Sequence, residues 1–375
     1  MLDSLRMRLW RNTVAPPGEA LVVPSRQVKP TRRANIHTNI RSPRERILRQ
    51  LFERISYVAP ALSLQRLTNC VADAESGLIV RQDGAFDDLT RPVASYHVDT
   101  TREGLAERIR ASVSAKMKGE LIHVFPRSSG AYGTFLLDGL CGLAELDDYI
   151  SEHRLKLWLP AVFPKWVPRY LSQLGFGRRH AMRVGGFVGF NGLTLATTLN
   201  CEHCFHPNPE SLAKLRRFVD APEPTPTRRL YLMRDSGSSP RFVENEAEVR
   251  RLFAQAGFES VDPGRLSFRD QIELFASAQA IAGSHGSAFA NMIFAAPGAQ
   301  IIDLMPEDWI GYWDDDGRAE RWLFNLTGAC GHDYSLVLSP SHMNGDRFRT
   351  NSGTRPPTLN STVDIAALRD ALAHL

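Results

Sequence analysis

The sequence has little of what a disulfide-stapled, membrane-spanning or disordered chain requires. It has five cysteines, and this odd number shows no spacing typical of a disulfide framework. We therefore expect reduced thiols. It contains no run of about 20 apolar residues, so we expect no membrane-spanning helix. With 43% hydrophobic and 23% charged residues, its composition is that of a globular protein and not of a disordered one.

The start of the chain lacks a targeting signal. Residues 1–11 contain neither the long apolar stretch nor the cleavage site of a secretory signal peptide, so we expect a cytoplasmic location. Leu2, Leu5, Leu9 and Trp10 alternate with arginines there. This pattern would suit peripheral attachment to the inner face of an anionic membrane. A short helix packed on its own domain explains the same pattern more simply.

Charge of one sign is not in strong excess. The formal net charge is +4, and arginine supplies most of the positive charge. Arginine is suited to forked recognition of phosphate groups, so a mildly basic chain fits an enzyme that handles anionic phosphates. There is no array of aromatic and basic side chains and no nucleic-acid-binding motif. We therefore expect no nucleic-acid partner.

The length of the chain predicts two domains. A chain of 375 residues can form two domains that each bury a core of their own. The clearest linker is segment 220–226, where alternating prolines prevent both helix formation and sheet pairing. We predict an N-terminal domain over residues 1–220, which begins with an irregular arm, and a C-terminal domain over residues 221–375. A looser alternation of strands and helices favours a Rossmann-like sheet in the first domain too.

Strands and helices alternate most clearly in the C-terminal half. The pattern predicts, in order, strand 230–233, helix 245–256, strand 258–261, helix 268–277, strand 279–283, helix 284–296 and strand 300–304. Such alternation predicts an α/β fold, in which a parallel sheet is covered by helices on both faces. Ligands of such sheets bind at the carboxyl ends of the strands.

The centre of this pattern is the sequence Gly-Ser-His-Gly-Ser at 283–287, which joins a buried strand to a helix. The unpaired N–H groups and the dipole at the start of a helix suit a phosphate, and small side chains let it approach the backbone. Arg234 follows strand 230–233. Because carboxyl ends of parallel strands meet at one edge, we expect Arg234 to face the same crevice.

A set of residues with characteristic spacing extends through about 75 residues of this half. Its members are Tyr231-Leu232-Met233-Arg234, Arg241, Asn245-Glu246, Leu266-Ser267-Phe268, Gln271, Leu274-Phe275, His285-Gly286-Ser287-Ala288, Asn291, Phe294 and Pro297-Gly298. This set resembles the C-terminal half of glycosyltransferase family 61, which was also catalogued as a domain of unknown function from capsular-polysaccharide gene clusters. The resemblance implies a GT-B architecture of two Rossmann-like domains, with a C-terminal helix that crosses back to the first. It also implies a nucleotide-sugar donor on the C-terminal domain, inversion at the sugar carbon, and no essential metal or other cofactor.

If the family's donor site lies in this crevice, we expect donor-binding roles for the polar residues around it. The residues that we expect to contact or brace the donor are Arg234, Arg241, Ser284, His285, Gly286, Ser287, Asn291 and Asp303. The two arginines would clamp the diphosphate, whose negative charge grows as it leaves. His285, which we also count as catalytic, would donate to a phosphate oxygen or to the sugar. Asn291 would brace the loop, and Asp303 or Glu307 would accept from ribose hydroxyls.

The N-terminal half resembles the family less closely. Segment 130–138 is similar to the family's G-N-Y-G-H-W-x-x-[DE] pattern, but Ala131, Thr134 and Phe135 replace its Asn, His and Trp. Asp138 remains, four residues after Thr134 and on the same side of a helix. It is our candidate for the base that deprotonates the acceptor hydroxyl. The alternative is a carboxylate on the surface of the helix.

Two other segments contain possible metal ligands. Four ligating side chains lie within the sequence Cys-Glu-His-Cys-Phe-His at 201–206. A zinc site usually needs a second ligand pair at a distance, so we expect no metal there. Asp314 and Asp316 form a D-x-D pattern of the kind that holds a divalent cation in GT-A transferases. We expect an acidic surface loop at that position instead.

The sequence therefore predicts an inverting glycosyltransferase. It would move a sugar from a nucleotide-diphosphate donor, with a UDP-sugar as the first expectation, to a hydroxyl of a glycan or lipid-linked glycan in surface-polysaccharide synthesis. The departures at Ala131 and Thr134 leave open a non-catalytic sugar-nucleotide-binding or scaffold subunit. The D-x-D pattern leaves open a metal-dependent GT-A-type transferase that uses Asp314 and Asp316.

Overall fold

A computed structural model describes residues 19–29, 34–39, 43–53, 56–89, 104–113, 115–161, 163–233, 241–310, 318–344 and 358–375. In chain order its strands are β1 (Glu19–Val23), β2 (Arg26–Val28), β3 (Asn35–His37), β4 (Tyr57–Ala59), β5 (Leu62–Asp73), β6 (Ile79–Val80), β7 (Ala115–His123), β8 (Lys156–Pro160), β9 (Ala181–Val184), β10 (Phe187–Ala196), β11 (Arg228–Leu232), β12 (Arg241–Val243), β13 (Phe258–Val261), β14 (Ala278–Ser284), β15 (Gln300–Pro306), β16 (Asp333–Ser339), β17 (Ser341–Asn344) and β18 (Thr358–Ser361).

The helices alternate with these strands. The α-helices are α1 (Pro43–Glu53), α2 (Leu105–Ala111), α3 (Tyr132–Thr134), α4 (Cys141–Glu152), α5 (Trp166–Gln173), α6 (Glu202–Phe205), α7 (Pro209–Phe218), α8 (Glu246–Gln255), α9 (Phe268–Ala276), α10 (Arg318–Ala329) and α11 (Ile365–Ala373). A π-helical turn, Phe135–Leu140, joins α3 to α4, and a 3₁₀ helix spans Ser287–Phe294. Among the described helices, none combines the length and the apolar character that crossing a bilayer requires.

The first sheet is formed by N-terminal strands and mixes the two pairing directions. Its order is β1–β5–β10–β7–β8–β9, with β6 beside β5. The pairs β10–β7, β7–β8 and β8–β9 are parallel, since helical crossovers join β7 to β8 and β8 to β9. Strand β5 pairs antiparallel with β1, β6 and β10. The Rossmann-like prediction is therefore correct for the parallel half of this sheet only.

The second sheet is parallel throughout, in the order β13–β11–β14–β15–β16–β3. Counted in chain order, its five C-terminal strands are arranged 2-1-3-4-5, which is a doubly wound order. For strands β11, β13, β14 and β15 and for helices α8 and α9, both the first and the last residue lie within two residues of the predicted bounds. The prediction of an α/β fold with a parallel C-terminal sheet is confirmed.

Both faces of the second sheet are buried, as a covered parallel sheet requires. Side chains that face the first sheet include Leu230, Ile281, Ile301 and Leu336. Side chains that face α8 and α11 include Tyr231, Ala282, Ile302 and Val337. The apolar runs of these strands therefore alternate between two separate clusters, one on each side.

The two ends of the chain meet at the outer edge of the second sheet. Strand β3, from the N-terminal arm, is the edge strand beside β16. Helix α11 packs on the same sheet, with Leu368 and Ala371 in one cluster with Val337. Asn245 anchors the approach to α11, because its side chain donates to the Val363 carbonyl oxygen and accepts from the Val363 N–H, both at 2.9 Å. The apolar face of the C-terminal helix packs on the second sheet, and it is the N-terminal arm that crosses to that sheet. The predicted crossing of the helix to the first domain stays a prediction.

The helical segment 132–152 lies where the two halves of the chain meet. Gly139 in its π-helical turn allows close packing, since a Cβ there would lie 2.3 Å from Cδ1 of Phe125. Buried side chains of this turn share one apolar cluster with Phe268 and Phe289 of the C-terminal half. The two sheets thus share a continuous core, and the division of the chain at residue 220 stays a prediction.

Candidate functional site

The second sheet reverses its strand order between β11 and β14. In doubly wound sheets, ligands bind in the crevice outside the carboxyl ends of the two strands that flank such a reversal. Those ends are Leu232 and Ser284. Gly283 keeps them close, since an added Cβ would lie 2.9 Å from Cβ of Leu232 and 3.0 Å from its carbonyl oxygen. The expected phosphate position therefore coincides with this topological switch point.

Gly286 shapes the turn that follows β14. Its φ of 156° and ψ of −178° lie in a region that residues with a side chain rarely adopt. The segment after it is a 3₁₀ helix and not the α-helix that the sequence predicts. A helix start leaves its first N–H groups without partners inside the helix. Ser284 and Ser287, on either side of this start, are partly exposed, so their hydroxyls and the first N–H groups of the helix lie close together.

The side chain of His285 points into the protein and is 2% exposed. The indole N–H of Trp322 donates to its Nε2 at 2.9 Å, so this nitrogen holds the lone pair and Nδ1 holds the proton. Nδ1–H donates to Oδ2 of Asp303 at 2.7 Å. The ring has no nitrogen left for the donor contact that the sequence predicts. It instead ties the turn after β14 to β15 and α10.

Asp303 is also closed from solvent, with 0% exposure. Its Oδ2 accepts a second hydrogen bond, from the Tyr334 hydroxyl at 2.7 Å. Burial, together with this carboxylate, raises the pKa of Tyr334 well above its ordinary value. The Oδ1 of Asp303 is buried without a partner among the described residues, and its Oδ2 orients the ring of His285. The predicted contact with a ribose hydroxyl stays a prediction.

A chain of buried hydrogen bonds joins the N-terminal helical segment to the second sheet's helices. The Tyr132 hydroxyl donates to Oδ1 of Asn291 at 2.6 Å, and Nδ2 of Asn291 donates to Oε1 of Gln271 at 3.0 Å. Nε2 of Gln271 then donates to the Tyr170 hydroxyl at 3.1 Å. Two tyrosines from the N-terminal half therefore enclose two amides from the C-terminal half. The predicted bracing role of Asn291 fits this arrangement, and the helix that it braces against is α3.

The backbones of the two halves also approach closely beside this chain. A Cβ added to Gly133 would lie 3.5 Å from both Cβ and Oγ of Ser287. Gly133 belongs to the segment that resembles the family in the N-terminal half, and Ser287 belongs to the central turn. Two segments about 150 residues apart in sequence therefore meet at the carboxyl edge of the second sheet.

Asp138 is buried in the π-helical turn, so the surface alternative for this carboxylate is wrong. Its Oδ1 accepts from the backbone N–H of Cys204 at 3.1 Å. Its Oδ2 is buried and has no hydrogen-bond partner among the described residues. Burial raises the pKa of this carboxyl to about 7, against the smaller opposing effect of its hydrogen bonds to segment 203–204.

Segment 201–206 packs between Asp138 and helix α10. The Sγ of Cys204 donates to the Cys201 carbonyl oxygen at 3.2 Å, and Nδ2 of Asn325 donates to the Phe205 carbonyl oxygen at 2.8 Å. Burial raises the pKa values of both thiols well above their ordinary range, so they stay protonated. Within the described part of the chain, metal-ligating atoms close enough to share one ion gather elsewhere, at residues 37, 370 and 374.

Several predicted residues have no described position. Arg234, Asp314 and Asp316 lie outside the described residues. Arg241 begins β12, whose backbone pairs with β18. The diphosphate clamp by the two arginines and the D-x-D alternative therefore stay predictions.

Sequence reasoning assigned no role to Trp322, Tyr334 and Tyr170. Each is an aromatic residue with a polar group, and each satisfies a buried polar side chain of the site. The only signal available was an aromatic residue among apolar neighbours, which is also the pattern of ordinary core packing. Tyr132 and Gln271 did belong to the resembling motifs, but spacing alone did not indicate their contact.

A scan of protein-family models matches the family described as Glycosyltransferase 61 to residues 132–302, which run from the first residue of α3 into β15. No curated protein matches the chain. The matched range contains both segments that meet at the site, so the resemblance noted in the motifs is confirmed over this region.

The contact between Tyr132 and Asn291 predicts energetic coupling between the two halves. In a double-mutant cycle of Tyr132→Phe and Asn291→Ala, we expect a coupling free energy of roughly 0.5–3 kcal/mol. Each single change leaves the buried polar group of the other residue without its partner. Urea unfolding of the four proteins measures the coupling free energy. Tyr57→Phe is the matched control, since its hydroxyl donates to the Pro207 carbonyl oxygen at 2.7 Å and not to Asn291. Additive effects of Tyr132→Phe and Asn291→Ala would contradict the contact.

The raised pKa of Asp138 predicts how stability depends on pH. Its carboxyl has a pKa of about 7 in the folded protein, against about 3.9 when unfolded, so its contribution is full below pH ~4 and is lost as pH rises through about 7. The unfolding free energy of the wild type relative to Asp138→Asn should therefore fall by roughly 2–4 kcal/mol between pH 4 and 8. Urea unfolding at several pH values measures this difference. Asp148→Asn, on the exposed side of α4, is the control. If the difference in unfolding free energy between wild type and variant does not change with pH for either variant, the assignment of the raised pKa to Asp138 is contradicted.

Proposed function

This chain is a glycosyltransferase with a family 61 region over residues 132–302, and we propose that it transfers a sugar from a nucleotide-diphosphate donor to a hydroxyl of a glycan or lipid-linked glycan. A UDP-sugar is the donor that we propose first. The transfer inverts the configuration at the sugar carbon. The cellular role is assembly of a surface polysaccharide such as a capsule, in the cytoplasm or on the inner face of the membrane.

One observation carries this proposal. The segment at 132–138 meets the turn at 284–287 directly above the switch point of a doubly wound parallel sheet. A crevice of this kind is where such sheets bind nucleotides. The meeting of the two segments places acceptor-side residues against donor-side residues, which is the arrangement that a transfer between two substrates requires. We propose a GT-B-type division, with the donor on the second sheet and the acceptor on the first, and this meeting of segments supports it.

The donor diphosphate is held in this proposal by groups of the central turn. These groups are the hydroxyls of Ser284 and Ser287, two partly exposed residues, and the N–H groups at the start of the 3₁₀ helix between and after them. Such donors suit the phosphate oxygens, which gain negative charge as the bond to the sugar breaks. His285 and Asp303 act on the donor indirectly, by holding the backbone of the turn in place. Arg234 and Arg241 remain the proposed cationic clamp.

The acceptor hydroxyl needs a base, and Asp138 is the proposed one. Its pKa of about 7 suits a group that must accept a proton near neutral pH, and its Oδ2 has no partner among the described residues. The acceptor oxygen attacks the sugar carbon while the bond to the diphosphate breaks. The hydroxyl proton passes to Asp138, and the nucleoside diphosphate leaves with the electron pair. Oδ2 is closed from solvent here, so the role requires the acceptor to reach it through the wall formed by segment 201–206.

The donor site is tested by Gly286→Ala. An alanine there must adopt a backbone conformation that side chains rarely take, so the turn shifts and the N–H donors move. We expect roughly a tenfold or greater loss of nucleotide-sugar affinity, measured by calorimetry on the best binder of a thermal-shift screen. Gly257→Ala is the matched control, because Gly257 also has a positive φ of 78° but lies between α8 and β13. Equal donor affinity in both variants would exclude the turn as the donor site.

The base is tested by Asp138→Asn in an assay of sugar transfer. We expect kcat to fall about 10²- to 10⁴-fold, because the acceptor hydroxyl loses its proton acceptor. The donor Kd should stay within about twofold, because the carboxyl lies on the acceptor side. Asp148→Asn serves as the control. Full activity of Asp138→Asn above pH 7 would remove this residue from the mechanism and leave it a purely structural role.

A further inference from the structure

A second cluster of ligating side chains lies at the outer edge of the second sheet, where the chain ends meet. His37 lies on β3, Asp370 lies in the last turns of α11, and His374 is the residue that caps the C-terminus of this helix, four residues after Asp370. One ligating atom from each of the three residues lies within 4.8 Å of the others. The cluster is three strands away from β14, so it is not part of the crevice described above.

We propose that His37, Asp370 and His374 form a binding site for Zn²⁺. Two imidazoles and one carboxylate are a ligand set that zinc takes in proteins, with a water molecule in the fourth position. Magnesium and calcium prefer oxygen ligands only, so two imidazoles select against them. The site is independent of the proposed sugar transfer.

The distances within the cluster are close to those of a zinc site. Nδ1 of His37 lies 2.6 Å from Oδ2 of Asp370, and Nδ1 of His374 lies 3.9 Å from Oδ1 of Asp370. Zinc–ligand bonds of about 2.0–2.1 Å in a tetrahedron separate the ligand atoms by roughly 3.3 Å. The two printed pairs differ from this separation by less than about 1 Å, and all three ligand atoms lie within 4.8 Å of one another. Asp370 and His374 are 60% and 61% exposed, so their side chains have room to shift.

His37 is the buried member of the cluster and is already held in place. Its side chain is 7% exposed, and its Nδ1 lies beside the carboxylate of Asp370. Nδ1 therefore faces the other two side chains, and it is the nitrogen that we assign to zinc. Nε2 lies on the other side of the ring, where it is buried without a hydrogen-bond partner among the described residues.

The site would join two parts of the chain that are 333 residues apart. Asn39, just after β3, already donates from its backbone N–H and from Nδ2 to the carboxylate of Asp364 at the start of α11. A bound ion one or two turns further along the helix adds a second clamp. Zinc would thereby fix the N-terminal arm as the edge strand of the second sheet.

The test uses the full chain after removal of metal by a chelator. Titration with ZnCl₂ in a calorimeter should show one ion per chain for the wild type. Asp370→Asn and His374→Gln should each weaken this binding at least tenfold, and the rise in melting temperature on adding zinc should be lost with it. Both positions are exposed, so the variants are expected to fold.

His153→Gln is the matched control. Its Nδ1 engages the carbonyl oxygen four residues earlier at 2.9 Å, as His374 does at 2.7 Å, but His153 has no place in the cluster. It should bind zinc like the wild type. Absence of stoichiometric binding, or equal binding by wild type and His374→Gln, would overturn the proposal. Binding that is lost only in Cys204→Ser would place the ion in segment 201–206 and also overturn it.

Discussion

The site depends on one buried amide that two halves of the chain satisfy together. Asn291 is fully buried, so both its oxygen and its nitrogen need partners. Tyr132 from the N-terminal half takes the oxygen, and Gln271 from the C-terminal half takes the nitrogen. Because an amide in low dielectric tolerates little displacement of either partner, α3 is held in a fixed position over the turn that follows β14. The close approach of Gly133 and Ser287 is a consequence of this constraint.

The polar residues of the central turn divide into two groups with different physical roles. His285 and Asp303 are desolvated and hydrogen-bonded to each other, to Trp322 and to Tyr334, so they hold the backbone of the turn in place. The two hydrogen bonds of Asp303 fall on Oδ2, and its buried Oδ1 has no partner among the described residues. Ser284 and the N–H groups after Gly286 lie at the crevice instead. A rigid set of neutral donors needs little reorganisation when charge develops on a diphosphate, which is the property that such a site needs.

The sequence predicted the parallel sheet and its crevice because their signals are local. Apolar runs and caps predicted strands β11, β13, β14 and β15 and helices α8 and α9 to within two residues, whereas β12 was not predicted. The direction in which a side chain points is not local. His285 directly follows β14, along which side chains alternate between the two faces of the sheet. Whether its ring faces solvent or Asp303 depends on a contact with Trp322, 37 residues later. The same limit applies to Asp138, whose burial is set by segment 201–206, and to β3, whose pairing with β16 joins residues about 300 apart.

The buried contact between the two halves of the chain restricts how a nucleotide sugar reaches the crevice. One apolar cluster contains side chains from both sheets, and the hydrogen-bond chain from Tyr132 to Tyr170 crosses between them. Opening the two halves like a hinge would expose this apolar surface and leave buried amides without partners, and each lost partner alone costs roughly 1–3 kcal/mol. Entry along the carboxyl edge of the sheet exposes neither. If the donor binds where we propose, it therefore enters past Ser284 and Ser287, whose partial exposure marks the open side of the crevice.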